Sequence, residues 1–336
     1  MTALREVVDE VSNEAHLFTP GGSFILDAPE SPEPLWGVGH DVLLAEGEAL
    51  VIVGSQGLGK TTLAQQLALG RCGFDEYAEL LDFPIQPNRW GKVLYLAMDR
   101  PAQIARSFRR MVGEAWRDQL DATLIVWKGP PLADMAKHTG LLLNMAQMAD
   151  AETVIVDSLK DAAIGLTDDE VGAGYNRARQ TATTAGIQVV ELHHNRKAVG
   201  GSRAARPVID DVYGSTWLTS GAGSVVLLTG APGDPIIGLH HIKQPANEVG
   251  PLKVIHDVDT GRSTVWHVTD LLVVAKSTRL GITAVEAAKA LFEVDKPTPA
   301  EREKARRQLD RLVRAGSLHV EAGDPADNRP TRWVAV

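Results

Sequence analysis

Eight residues constrain this chain more than any others: Gly54-Ser55-Gln56-Gly57-Leu58-Gly59-Lys60-Thr61 follow the apolar run ALVIV and precede TTLAQQLALG, which is helical in composition. Glycines at this spacing let successive backbone N–H groups turn toward one point, and the following helix aims its positive N-terminal end at the same point. Strand, glycine-rich turn and helix in that order make a phosphate-binding loop, which commits the flanking chain to an α/β layer. Lys60 is placed to neutralise β- and γ-phosphates, Thr61 to offer its hydroxyl to a magnesium ion, and the backbone from Gly54 to Thr62 to hold the nucleotide. The ligands implied are ATP and Mg2+. An ordinary glycine-rich turn would need neither the lysine nor the hydroxyl after the last glycine.

Short β-branched apolar runs surround this loop. They fall at 49–54, 92–98, 123–127, 153–157, 187–192 and 224–230, separated by helix-length stretches, the pattern of a mainly parallel sheet covered on both faces. Runs at 236–243, 252–258 and 263–268 follow one another across short turns and predict an antiparallel extension of that sheet. The run TVIVD ends on Asp157, an acid at a strand end where the second half of a phosphate site needs a magnesium ligand, although a turn residue or helix cap looks the same locally.

The 336 residues carry 34 Lys and Arg against 43 Asp and Glu, a net charge of −9, which argues against a protein that coats nucleic acid or an anionic membrane over its whole surface. The charge is uneven, since residues 271–336 hold 12 basic and 9 acidic side chains. Ahead of the sheet pattern, DAPESPEP disfavours helix and strand. Three segments are therefore expected: an arm or linker over 1–35, the phosphate-loop domain over 36–269, and a small domain over 270–336. The single cysteine, Cys72, excludes a disulfide framework and a thiolate zinc site. No apolar run of about 18 residues is present, and the start, MTALREVVDEVSNEAH, is acidic where a secretory signal is basic. A cytoplasmic protein without a membrane partner is expected.

The succession of the phosphate loop, VLYLAMDRPAQIARSFRR, VIVDSLKDAAIGLTDDEVGAGYNRAR, VVELHHNRK and YGSTWLTSGAGSVVLL resembles RecA-like, AAA-type ATPases of the DnaB- and RepA-type replicative helicase group, over about residues 35–268. The resemblance implies a RecA-like P-loop core and a ring, most often a hexamer, with ATP between subunits. It puts Asp99 where the family's glutamate polarises the attacking water, one methylene shorter; Asp99 also suits the cap of a helix starting at Pro101. It places His193 and His194 at the γ-phosphate sensor, without deciding which ring senses. Adjacent histidines point to opposite faces of a strand, and no nearby Cys or further His completes a zinc site. Lys243 falls where a cation reaches the neighbouring subunit's nucleotide, but Pro245 replaces the family's arginine, which leaves Arg196 and Arg203 as candidates for the trans-acting arginine. Arg196, Lys197, Arg203 and Arg206 form an acid-free basic stretch directly after the histidines, where loops of such rings line a channel for single-stranded DNA. Tyr213 and Trp217 flank it, as base-stacking groups or as core.

After Asp270 the apolar residues take helical spacing, in GITAVEAAKALF and in EREKARRQLDRLVRAG, and a strand pair, SLHVEAG and TRWVAV, closes the chain. Helix, helix and ribbon outline a winged helix, which would contact duplex DNA or a protein partner. The functions that follow are a helicase of phage or mobile-element replication, a recombinase- or mediator-type ATPase, an ATP-switched DNA-binding regulator, or a helicase loader.

Overall fold

The structure is a computed structural model that describes residues 18–196, 207–234, 236–257, 259–266, 271–277, 280–292, 294–323 and 329–336. It divides into two compact units, the first ending at Val265 and the second starting at Trp266. Among the described residues no helix is long and apolar enough to cross a membrane.

Among the described residues, the first unit opens with a six-residue helix, Gly21–Leu26, that buries none of its residues, and an antiparallel hairpin of β1 (Pro34–Val38) and β2 (Asp41–Ala45). A nine-stranded sheet follows. Its parallel members are β3 (Leu50–Gly54), β6 (Lys92–Ala97), β7 (Leu124–Lys128), β8 (Ala151–Asp157), β9 (Gln188–His193) and β10 (Ser224–Thr229). β11 (Ile236–Lys243), β12 (Leu252–His256) and β13 (Ser263–Val265) add antiparallel to β10, giving the order β13-β12-β11-β10-β3-β9-β8-β6-β7. The two-residue strands β4 (Glu79–Leu80) and β5 (Phe83–Pro84) form a separate hairpin. The α/β class, the parallel centre and the antiparallel extension are as the apolar runs predict.

The sheet is buried on both faces, so its central strands read as near-continuous apolar runs. On one face Ile52, Tyr95, Ile155 and Val190 pack against Leu63 and Leu67 of the helix Lys60–Arg71 and Ile104 and Phe108 of the helix Pro101–Arg109. On the other, Leu94, Val154, Val156 and Val189 meet Leu142 of Leu141–Met148 and Tyr175 and Ala182 of Asp169–Thr184. Alternate residues of one strand thus serve two cores.

Two buried arginines fasten these layers. Arg71, the last residue of its helix, donates from Nε to Thr153 Oγ1 and from Nη2 to Glu152 Oε1, both at 3.1 Å. The other Glu152 oxygen accepts the backbone N–H groups of Arg89, Trp90 and Gly91. Across the sheet, Arg179 grips Glu191 of β9 with two hydrogen bonds, at 2.9 and 2.6 Å, while the Tyr175 hydroxyl donates to the same carboxylate.

The second unit holds the helices Leu271–Ser277, Ala284–Phe292 and Pro299–Arg314 and an antiparallel pair, β14 (Leu318–Glu321) with β15 (Arg332–Ala335). Its core includes Leu271, Ala287, Ala305, Leu309, Leu318 and Trp333. Thr298 and Glu301 form a reciprocal capping box ahead of the last helix, and Gly316 turns the chain out of it at φ +74°. The helix over 271–277 goes beyond the two that the spacing predicts; LLVVA is apolar throughout and shows no stripe.

Because Arg71 leaves a buried carboxylate behind when removed, Arg71→Met is expected to lower unfolding free energy by about 3–5 kcal/mol, with partial recovery in Arg71→Met/Glu152→Gln. Urea denaturation of the two variants checks this. A loss below about 1 kcal/mol would mean that the pair does not hold the helix.

Candidate functional site

The sheet order sets the carboxyl ends of β3, β9, β8 and β6 side by side. At those ends stand, in that order, the glycine-rich loop, His193 with His194, Asp157 and Asp99. The carboxyl edge of a parallel sheet is where α/β proteins hold ligands, because loops and helix N-termini converge there.

Gly57 and Gly59 both adopt left-handed backbone, φ +82° and +83°. At Gly59 a Cβ would also lie 2.0 Å from Nε2 of His256, whose ring approaches the Leu58 carbonyl at 3.2 Å. Lys60 opens the helix and folds back, so that Nζ donates to the carbonyls of Gly54 at 2.7 Å and Ser55 at 2.9 Å. Burial pushes its ammonium down to about 8, against the pull of Asp157. A partly desolvated cation in a cradle of backbone is stabilised by an incoming anion.

Thr61 Oγ1 donates to Asp157 Oδ2 at 3.1 Å, and the Tyr95 hydroxyl donates to the same oxygen at 2.8 Å. Burial raises the Asp157 carboxyl above the usual range, opposed by the Tyr95 and Thr61 hydrogen bonds and by Lys60. Burial and the neighbouring carboxylate push the Tyr95 hydroxyl well up, so it stays a donor. Asp99 is half-exposed, with Oδ2 3.4 Å from Arg100 Nε and 3.5 Å from Lys160 Nζ. It does not cap the following helix, whose N-cap position is Arg100 and which has no side-chain cap.

The two histidines separate in role. His193 is buried, donates from Nε2 to the Tyr213 carbonyl at 2.6 Å, and has an Nδ1 with no partner among the described residues. Burial drops its pKa to about 4. His194 is the one beside the phosphate loop: burial lowers its pKa, and the Lys60 and Lys160 ammonium groups lower it further, next to the Gly54 backbone. Asn195 continues the contact, accepting from Ser55 Oγ at 2.9 Å while its backbone pairs with Val212.

Lys243 is engaged inside its own subunit, donating to the carbonyls of Thr219 at 2.9 Å and Ser220 at 2.8 Å. Arg196 is exposed, with Nη2 3.4 Å from the Gly214 carbonyl. Lys197, Arg203 and Arg206 lie outside the described residues. Tyr213 and Trp217 are 44% and 47% exposed, and it is Leu218, 1% exposed, that enters the core beside them.

Residues 16–200 match the family described as AAA domain, a span that holds the phosphate loop, both acids and both histidines. The chain belongs to the AAA domain family of P-loop ATPases. No curated protein matches it. Among solved structures, a KaiC-like protein from the archaeon Pyrococcus horikoshii OT3 aligns with a TM-score of 0.47 at 14% identity, over 71% of this chain and 100% of that one.

For this AAA domain the residues present fit a magnesium-bound nucleotide. A hydroxyl and a carboxylate oxygen stand 3.1 Å apart, both hard donors, beside a desolvated lysine and a helix N-terminus. Thr61 and Asp157 would hold the ion, which would offset charge on the β- and γ-phosphate oxygens.

Sequence reasoning missed four residues of this AAA site. Tyr95 falls on the Asp157 face by strand alternation, a signal that was available. Lys160 and Asn195 follow Asp157 and His194 closely in sequence, but neither residue type announces a role there, and His256 reaches the loop through tertiary packing.

Tyr95→Phe removes one of the two donors that orient Asp157. The expected result is an Mg2+ requirement for nucleotide binding shifted upward by about tenfold, as for other supports of metal ligands. Mg2+ titration of nucleotide affinity checks this, and an unchanged midpoint would remove Tyr95 from the site.

Proposed function

We propose that the chain is a single-stranded-DNA-stimulated ATPase with a RecA-like core, which assembles as a hexameric ring and moves along DNA as a helicase of phage or mobile-element replication. The observation that carries this reading is the contact between the phosphate loop and the root of the basic stretch. Ser55 meets Asn195, and the residues on either side of 197–206 are tied together by Tyr213 N–H to the His194 carbonyl and Arg196 N–H to the Asp211 carbonyl, 3.1 and 2.8 Å. A change at the phosphates is thereby felt where Arg196, Lys197, Arg203 and Arg206 would track a nucleic-acid backbone.

In this reading Lys60 and the loop backbone bind the phosphates, Asp99 takes the proton of the attacking water, and His194 registers the γ-phosphate. His193 holds the returning chain at Tyr213. Lys243 would act on a neighbour's nucleotide only after releasing Thr219 and Ser220, so the cis residues carry the chemistry. The second unit is read as a winged helix for duplex DNA or a protein partner; Arg302 and Arg314 are exposed on its last helix, whereas Arg306 is held by Glu303 and Asp310. The anchored Lys243 favours a second reading, an ATP-switched DNA-binding regulator or a loader that needs a partner to hydrolyse ATP.

Steady-state ATP hydrolysis with and without single-stranded DNA, with oligomer mass recorded beside a non-hydrolysable analogue, separates the two. The helicase reading expects a closed ring and stimulation of about tenfold or more, and a loss of about 100-fold in Asp99→Asn with nucleotide affinity kept. A monomer or dimer that ignores single strands would support the regulator or loader.

A further inference from the structure

We propose that Lys160 is the cation this subunit itself supplies to the γ-phosphoryl group of ATP. The inference rests on the reading of the cleft as an ATP site and deepens it. Lys160 lies on the short helix Leu159–Ala162, which leaves β8 directly after Asp157 and Ser158. That exit places it at the same sheet edge as the phosphate loop, where its Nζ reaches across to Asp99 at the end of β6.

Lys160 pairs with Asp99 across the ends of β8 and β6. Its side chain is 46% exposed, and its Nζ stands 3.5 Å from Asp99 Oδ2. An ion pair at that separation, open to solvent on both sides, is weak and easily exchanged. A γ-phosphate oxygen carries more charge than a carboxylate oxygen and so competes for the ammonium. Entry of ATP therefore draws the ammonium from Asp99 to the γ-phosphate. One movement does two things: it takes one of the two cations off Asp99 Oδ2, leaving Arg100 at 3.4 Å and the carboxylate a better proton acceptor, and it places positive charge where the transferring group develops negative charge.

The reaction balances without another reagent. A water oxygen bonds to the γ-phosphorus, the bond from that phosphorus to the β,γ-bridging oxygen breaks, and ADP leaves with the electron pair. The water proton passes to Asp99 and then to solvent, leaving inorganic phosphate. Lys160 keeps its proton throughout. Its importance follows from the neighbouring-subunit position: Pro245 stands where an arginine is expected, and Lys243 is bound to Thr219 and Ser220 of its own chain.

The test uses the full chain and the variants Lys160→Ala, Lys160→Arg and Lys60→Ala, with calorimetric affinities for Mg-ADP and for the non-hydrolysable triphosphate AMPPNP, alongside kcat. Lys160 is exposed, so thermal unfolding of Lys160→Ala should match the parent. The expected result is ADP affinity within about twofold of the parent, AMPPNP affinity reduced about tenfold, and kcat reduced about 100-fold, with Lys160→Arg restoring most of both. Lys160→Ala with the parent's ratio of AMPPNP to ADP affinity would overturn the proposal and leave Lys160 a solvated partner of Asp99. The binding ratio decides the matter even if the parent hydrolyses ATP slowly. A parent that binds neither nucleotide would overturn the ATP-site reading itself, and this proposal with it.

Discussion

The helix that follows the phosphate loop is tied to β8 at both ends, and the geometry of the cleft depends on that double attachment. At its start, Thr61 meets Asp157 at the last residue of the strand; at its end, Arg71 meets Glu152 and Thr153 near the first. A helix running back along a parallel strand can be fixed this way because its N-terminus and the strand's C-terminus share one edge of the sheet. The apolar contact between them is large but non-directional, so it leaves rotation and sliding open. Two polar anchors of different chemistry remove that freedom. The buried one, with Arg71 fully enclosed, sets the helix in place, and the half-buried one at the cleft is left for ligand chemistry.

The same arrangement continues sideways. Gln66, on this helix, donates to Ser263 Oγ on β13; Ser263 approaches His256 Nδ1 at 2.7 Å, and the other nitrogen of that ring faces the Leu58 carbonyl in the loop. The antiparallel extension therefore supports the phosphate loop from behind, and Gly59 is the residue that makes room for it. On the opposite face, Arg179 also donates to the Leu218 carbonyl at 2.9 Å, which fixes the chain beyond the basic stretch to β9. His193 adds its bond to Tyr213 two residues along the same strand from Glu191.

Much of this was legible in the residues. The glycine-rich loop and Asp157 were, because the chemistry of phosphate and magnesium demands particular atoms at strand ends. The parallel strands were, because burial on both faces removes polar residues from them. Asp99 was legible as a cleft acid, and the structure removes its alternative as a helix cap. The histidine pair was legible only as a pair, since choosing between two rings requires knowing which face of β9 packs on helix Asp169–Thr184. Trp217 shows the limit of reading apolar residues as core: it is the leucine beside it that is buried. Lys243 had the right residue type, yet nothing local shows that the carbonyls at the end of helix Trp217–Ser220 would bind it. Lys160, in SLKDA, looks like any solvated lysine until β8 and β6 are placed side by side.

In the proposed reading the phosphate loop and the root of the basic stretch respond to nucleotide together, the loop through Ser55 and Asn195 and the returning chain through His193 and Tyr213. Hydrogen exchange measured by mass spectrometry, with and without Mg-AMPPNP, tests it most directly. Slower exchange is expected not only in 54–62 but also in 193–196 and 209–214. Protection confined to 54–62, with the other two segments exchanging as in the free protein, would contradict it.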